Sequence, residues 1–313
     1  MDRFTYQIFQ FSKDRGLVEP EDKILISISG GIDSMSLFCL LDSFREKINI
    51  SLNLIHFNHG LRKESDQEEA FIRQLAIEKN VPIHVIKADH LDNISGMQNQ
   101  ARQWRYHHLE NIRKETGSTK IALGHHLNDL IETQIWRMLR GGSLFSLSPM
   151  TEMNRPYIRP ILYTEKEKLV NYLQNINQDW CEDASNLSNK YTRNKIRNQL
   201  IPLMKECAGE KLEKKFLALH LDSIQLKAHF DDLVPSSIYE NDFLEYKTIS
   251  QLTPILANEL INRFLIFNGQ EEMTRVNIQK IYEMVIANRG NWSINLKNNQ
   301  VVVGKYKKVK IVK

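Results

Sequence analysis

Ile24-Leu25-Ile26-Ser27-Ile28-Ser29-Gly30-Gly31-Ile32-Asp33-Ser34 is the stretch on which the reading of this chain turns. Ile24 to Ile28 is a short apolar run of strand length, and Met35 to Phe44 beyond the turn is helix-like. A strand, a glycine turn and a helix in succession point backbone N–H groups and a helix N-terminus at one anion, so the turn is a candidate phosphate cradle. The cradle comprises Ser29, Gly30, Gly31, Ile32, Asp33 and Ser34. Ser29 and Ser34 supply hydroxyl donors, Gly30 and Gly31 let a ligand approach the backbone, and Asp33 suits a Mg²⁺ that bridges phosphates. The GxxxxGK pattern with its phosphate lysine is absent. A bare Gly-Gly after a strand is also an ordinary tight turn, but five specified residue types match by chance with a probability on the order of 10⁻³.

The 313 residues suffice for one large domain and a smaller one, expected at 1–208 and 209–313. With 42% hydrophobic and 26% charged residues the chain reads as an ordinary soluble globular protein, and its net charge of +4 permits a nucleic-acid partner without requiring one. No apolar run approaches the roughly 18 residues of a membrane span, and Met1-Asp2-Arg3-Phe4 lacks the form of a signal peptide, so a cytoplasmic protein is expected. Cys39, Cys181 and Cys207 are far apart and never in a CxxC pair, which argues against a disulfide framework or a cysteine metal knuckle.

Further strands are expected at Ile50 to Phe57, Val81 to Ala88 and Ile121 to Leu123, alternating with helical stretches at Ser65 to Lys79 and Met97 to Glu115. That alternation predicts an α/β fold with a mainly parallel sheet and flanking helices. Two strands end in polar, glycine-bearing words, His56-Phe57-Asn58-His59-Gly60-Leu61-Arg62 and Gly124-His125-His126-Leu127-Asn128-Asp129-Leu130-Ile131-Glu132. Strand carboxyl ends are where open α/β sheets bind ligands. On a helix, His126, Asp129 and Glu132 recur every third residue and His125 lies one turn before Asp129, a polar face suited to a metal or to positioning an amine and a phosphate. Arg102, Arg105 and Arg113 fit either a solvated face or a phosphate guide. From about Gly209 the pattern becomes mostly helical, and it ends in lysine-rich short strands from Val301 to Lys313.

The cradle resembles the pyrophosphate-binding loop of N-type ATP pyrophosphatases. With it, in matching order over roughly the first 205 residues, come HFNHGLR, Ala101-Arg102-Gln103-Trp104-Arg105-Tyr106, GHHLNDLIET, Leu139-Arg140-Gly141-Gly142, Arg159-Pro160-Ile161-Leu162, Asp183-Ala184-Ser185-Asn186 and Tyr191 to Arg197. The ordered set resembles the bacterial tRNA(Ile)-lysidine synthetases. The resemblance implies an adenine-nucleotide hydrolase-like fold, with an ATP-binding catalytic domain over 1–208 and a small, mostly helical tRNA-binding domain over 209–313, ATP and Mg²⁺ as cofactors, and L-lysine and a CAU-anticodon tRNA(Ile) as partners. The implied reaction adenylates the wobble cytidine and then ligates lysine to it. In that scheme Asp33, His125, His126, Asp129 and Glu132 are catalytic, Asp129 and Glu132 hold lysine, and Lys190, Arg193, Lys195 and Arg197 hold tRNA phosphates. Longer members of the family carry a further C-terminal domain, and this chain is expected to stop after the first small one. The sequence leaves a homodimer open. A tRNA thiolase with the same loop, or a catalytically inert RNA-binding relative, is the alternative. The first typically needs paired cysteines, and the intact cradle argues against the second.

Overall fold

Ile24, Leu25 and Ile26 lie fully buried at the centre of a six-stranded sheet. The structure is a computed structural model that describes residues 1–58, 64–87, 97–181, 192–209, 211–270, 274–296 and 300–312. Strand β1 (Lys23–Ser27) pairs in parallel with β2 (Ser51–Asn58) on one side and β4 (Lys120–Ala122) on the other, which sets Leu25 opposite both Asn53 and Ile121. Outside β2 runs β3 (Ile83–Lys87), also parallel; the expected end of that strand at Ala88 lies outside the described residues. On the other side β6 (Tyr157–Ile158) is parallel to β4, and β5 (Met153–Asn154) closes the edge antiparallel. The order is β3-β2-β1-β4-β6-β5, so the chain reverses direction across the sheet between β1 and β4. A crevice at the carboxyl ends of those two strands follows from this connectivity.

Side chains on β1 alternate between two cores, as the pleat requires. Ile24 and Ile26 join Met35, Leu37, Phe38 and Leu40 of α2 (Ile32–Asp42), whereas Leu25 joins Ile55, Ile121 and Leu109 on the other face. Helix α2 is buried from Ser34 to Leu41, which explains why its sequence shows no polar stripe. Around the sheet run α1 (Arg3–Asp14), α3 (Arg45–Ile48), α4 (Glu64–Glu78), α5 (Met97–Glu115), α6 (Leu127–Leu139) and α7 (Lys166–Asn175). Then α8 (Thr192–Lys195), a π turn (Ile196–Leu200) and α9 (Ile201–Ala208) follow without a break. Pro202 opens α9 and has no N–H to give to the preceding turn, so a widened turn just before it fits the sequence.

The chain divides into two compact units, residues 1–132 with 150–213, and residues 133–149 with 214–313. The sequence suggested a single cut after residue 208. Residues 133–149 gather with the second unit because Phe145 is buried in its core, 5.7 Å from the ring of Phe230. That core also takes residues from α10 (Leu212–Leu233), α11 (Tyr246–Ser250), α12 (Pro254–Phe267) and α13 (Arg275–Ile286). A four-stranded antiparallel sheet completes the unit, in the order β7 (Phe243–Glu245), β10 (Lys308–Val312), β9 (Val301–Lys305) and β8 (Trp292–Asn295). No helix among the described residues is long and apolar enough to cross a membrane.

At the amino ends of β1 and β4, away from the crevice, the Lys120 side chain is buried against two carboxylates. Its Nζ donates to Gly16 O at 3.0 Å, Glu19 Oε2 at 2.7 Å and Asp22 Oδ2 at 2.8 Å. Lys120→Ala leaves the buried Asp22 carboxylate without its cation, and the expected loss is about 3 kcal/mol or more. The urea midpoint should fall accordingly, with the slope of the transition unchanged.

Candidate active site

The turn after β1 is closed by its own hydroxyls. Ser34 Oγ accepts the Ser29 N–H at 3.1 Å and donates to Gly31 O at 3.1 Å, while Ser29 Oγ accepts the Gly31 N–H at 3.4 Å. Gly30 has φ +85°, in the region that glycine alone enters cheaply, and a Cβ there would stand 3.2 Å from Cys181 Sγ. The N-cap of α2 is Gly31, with no side-chain cap, so Ile32, Asp33 and Ser34 begin a helix whose N-terminal donors are left for an anion. The six cradle residues thus form one hydrogen-bonded turn that runs into the start of α2.

A cleft of about 250 Å³ opens beside the turn, lined by Ser29, Gly31, His56, Phe57, Arg105 and Cys181 among others. His56 is buried, and its Nδ1 donates to the Ile28 carbonyl at 3.0 Å. Burial pushes its pKa below the ordinary imidazole value, so the ring is neutral and Nε2 is an acceptor, with no hydrogen-bond partner among the described residues. Arg105 thus faces the cleft, whereas Arg113 donates to Glu110 and to Ser118 O, and Arg102 to Tyr106 Oη. The His59-Gly60-Leu61-Arg62 part of the first histidine word lies outside the described residues.

The second histidine word lies against the cradle. A Cβ on Gly124 would stand 3.2 Å from the backbone C and O of Asp33 and from the Ser34 N. His125 and His126 precede α6 rather than sharing its face, since that helix begins at Leu127. His126 occupies the cap position instead: its N–H donates to Asp129 Oδ2 at 3.1 Å, the backward half of a capping box. The Asn128 N–H points at His126 Nδ1 from 3.2 Å, which assigns the ring proton to Nε2. That atom sits 3.3 Å from Asp33 Oδ1 and 3.5 Å from Asp129 Oδ2.

These contacts set the charges. Burial lowers the His126 pKa, but the Asp33 contact and the Asp129 charge outweigh it and raise the value above the ordinary one. For Asp33, burial pushes upward and His126, Lys166 and Arg197 pull the carboxyl below its ordinary value. His125 goes the other way: burial takes it down to about 4, against the pull of Asp129, so it is neutral at pH 7. Its Nδ1 has no hydrogen-bond partner among the described residues.

Arg197 lies elsewhere than a phosphate-holding reading of the sequence suggests. From the π turn its guanidinium reaches back to α6, with Nε 2.5 Å from Glu132 Oε1 and Nη2 3.0 Å from Glu132 Oε2 and 3.3 Å from Asp129 Oδ1. The fork geometry explains why arginine stands there. Burial raises the Glu132 carboxyl even though Arg197 opposes it. Arg193 and Lys195 are exposed on α8, and Lys190 lies outside the described residues, as do Asp183-Ala184-Ser185-Asn186 and Tyr191. Among the described residues no three His, Cys, Asp or Glu side chains are grouped to hold a metal, so the His126, Asp129 and Glu132 face is an ion-pair network. A Mg²⁺ at the cradle is a different matter. Asp33 presents a carboxylate whose Oδ1 meets His126 Nε2, and such a hard oxygen donor beside bound phosphates fits that ion.

Sequence reading passed over three groups. His56 was visible only as part of a loop word, Arg159 as part of Arg-Pro-Ile-Leu, and Lys166 not at all. Arg159 is 8% exposed and donates from Nη1 to Thr151 O at 2.9 Å, and its charge helps to depress His125. Lys166 begins α7, which is tied to the start of α6 by its N–H donating to Asn128 Oδ1 at 3.2 Å. A cation at a helix start, against the dipole preference, was the available signal.

A family model described as a PP-loop domain matches residues 1–204. The tRNA(Ile)-lysidine synthase of Pseudothermotoga lettingae is 33% identical over 238 residues, 75% of this chain and 53% of that protein. That of Petrotoga mobilis is 34% identical over 207 residues, 65% of this chain and 67% of its own length. That of Streptococcus agalactiae is 32% identical over 278 residues, 88% and 63% respectively. The chain thus spans about half to two thirds of these curated relatives. Among solved structures, the U34-tRNA thiolase NcsA from Methanococcus maripaludis, described with its 4Fe-4S cluster, is similar with a TM-score of 0.60 at 15% identity, over 72% of this chain and 80% of that one. That likeness shows a shared fold.

Arg197→Ala isolates the Glu132 carboxylate, which is only 4% exposed as a residue. Urea denaturation of Arg197→Ala, Glu132→Gln and the double variant should give a coupling energy of about 1–3 kcal/mol, with the double variant more stable than additivity allows. Additive losses would contradict the pairing.

Proposed function

We propose a function from the premise that the chain belongs to the tRNA(Ile)-lysidine synthase branch of the PP-loop family: it ligates lysine to C2 of the wobble cytidine of a CAU-anticodon tRNA(Ile), consuming ATP and releasing AMP and pyrophosphate. The observation that carries the reading is the cradle Ser29–Ser34 held against the His125–Glu132 segment at the point where the sheet reverses direction.

The C2 oxygen of cytidine is a hopeless leaving group at neutral pH, so it must be activated before an amine can displace it. In the proposed first step O2 attacks the α-phosphate of ATP and pyrophosphate departs. Backbone donors at the start of α2, with the Ser29 and Ser34 hydroxyls, would hold the departing phosphates and stabilise the charge that grows on them. Asp33 would hold Mg²⁺, which neutralises phosphate charge when bound. The cleft with His56, Phe57 and Arg105 is suited to the rest of the nucleotide, and the neutral His56 Nε2 is an acceptor for an amino group.

In the second step the lysine ε-amine attacks C2 and AMP leaves. That amine has a free-solution pKa of about 10.4 and must lose a proton to react. His125, neutral because it is buried, is the group that can accept one, and Asp129 supplies negative charge for an ammonium group. Glu132 would act with it, through Arg197. Arg193, Lys195 and Lys190 are proposed to hold tRNA phosphates, with Arg197 positioning the carboxylates behind them. Because the target base lies in a loop, it can be splayed out without melting a helix. A thiolase reading has Cys181 beside Gly30 to point to, but burial pushes that thiol above its ordinary pKa, and Cys39 lies in the core with its thiol raised to about 12.

Pyrophosphate release in the presence of ATP and a CAU tRNA(Ile) transcript tests the first step. Wild type should release pyrophosphate before lysine is added, and Asp33→Asn should lose at least a hundredfold in rate while its thermal unfolding stays near wild type; wild-type release by this variant would remove Asp33 from the mechanism. Asp129→Asn should spare release but raise the lysine concentration needed for half-maximal ligation. Replacing Arg193 and Lys195 by Ala should weaken tRNA binding and lower its log–log salt slope by about one unit per lost phosphate contact. An unchanged slope would show that these side chains do not touch the backbone of the RNA.

A further inference from the structure

The two central residues of the β9–β10 hairpin are Tyr306 and Lys307, with φ of +52° and +57°. Lys305 pairs with Lys308 across the turn, so this is a two-residue hairpin with both central residues left-handed, the geometry in which Asn-Gly is strongly preferred. A tyrosine and a lysine are among the poorer choices for such a turn, because their side chains crowd the backbone there. The closing pair compounds this, since two lysines directly opposite each other repel. Glu245 faces Lys308 from β7 and is the carboxylate in register with the cluster.

The tip is nonetheless firmly built. Gly304, just before it, has the Trp292 ring and the Tyr246 hydroxyl where a side chain would go. Trp292 Nε1 donates to Tyr246 Oη at 2.5 Å, Tyr246 Oη donates to Arg289 O at 3.1 Å, and the Tyr246 N–H donates to Lys307 O at 2.9 Å. Tyr306 itself is 82% exposed and supports none of this packing. The cations are held beside rings, with Lys305 Nζ 5.1 Å from the Tyr306 centroid and Lys308 Nζ 3.7 Å from that of Phe243. An exposed aromatic face and three lysines, on a rigid tip whose local conformation works against it, match what a single-stranded nucleic acid requires: a π surface for a base and cations for the adjoining phosphates.

We infer that the Tyr306–Lys307 hairpin tip is an RNA contact, on which an unpaired base of the substrate tRNA stacks against Tyr306 while Lys305 and Lys307 hold its flanking phosphates. The inference rests on the reading of tRNA as substrate. It accounts for the unfavourable turn residues, which are there for the contact they make, and for the like-charged closing pair, whose repulsion an anionic strand relieves.

The test replaces the tip by its own best turn. In the full chain, Y306N/K307G should raise Tm by about 2–4 °C, because the turn strain is gone. The same variant should weaken binding of a CAU tRNA(Ile) transcript at least fivefold and lower its salt slope by about one unit. Tyr306→Phe keeps the ring and should bind within twofold of wild type. Unchanged affinity in Y306N/K307G, with wild type forming lysidine normally, overturns the hairpin contact alone. Tyr306-dependent tRNA binding by a wild-type protein that ligates no lysine supports the contact and overturns the proposed reaction.

Discussion

At Gly124 the backbone of Asp33 and Ser34 comes so close that a Cβ would stand 3.2 Å from it, tighter than side chains ordinarily pack. That approach is what joins the turn after β1 to the turn after β4, and every other feature of the site follows from it. With the two turns in contact, the His126 ring that caps α6 meets the Asp33 carboxylate that opens α2. Their contact opposes the cost of burial on both sides, since Asp33 falls below and His126 rises above its ordinary pKa. Neither shift would arise from either loop alone. The sheet order makes the meeting possible, because β4 returns to pair with β1 after the chain has gone out through β2 and β3.

The same logic extends outward through Asp129 and Glu132. Two carboxylates one turn apart on a largely buried helix repel each other, and a long cation reaches both. Arg197 does so from a part of the helical run that widens into a π turn, which alters the direction in which its side chain leaves the backbone. Arg197, Asp129, His126 and Asp33 are thus joined in one network of hydrogen bonds and ion pairs. A phosphate ligand arriving at the cradle would enter at the end of this chain, where the helix donors are uncapped.

How much of this could be read beforehand depends on the range of the interaction. The cradle was legible because it is local: strand, glycine turn and helix follow each other within a dozen residues, and φ at Gly30 explains one of the glycines. The parallel sheet was legible because strands and helices alternate. His125 and His126 were recognised as site residues but set on the helix, since threefold spacing from His126 to Glu132 imitates a helical face, whereas His126 in fact caps the helix through Asp129. Arg197 looked like part of a basic cluster with Lys190, Arg193 and Lys195; its partners lie 65 and 68 residues away, beyond any sequence pattern. The placement of 133–149 with the second unit was likewise invisible, because it rests on long-range contacts: Phe145 in that unit's core, and Ser223 and Lys227 bonded to Leu144, Phe145 and Ser148.

The central claim is that this constellation serves to attach an amino acid to a single base. Incubation of the protein with ATP, labelled lysine and two tRNA(Ile) transcripts, one with C at the wobble position and one with U, tests it most directly, with the product mapped by mass spectrometry after nuclease digestion. The account predicts one lysine per CAU transcript, bonded at the wobble cytidine, with AMP and pyrophosphate formed in equal amounts and none of this on the U-containing RNA. Pyrophosphate release without any lysine-dependent mass increase on that cytidine would contradict it.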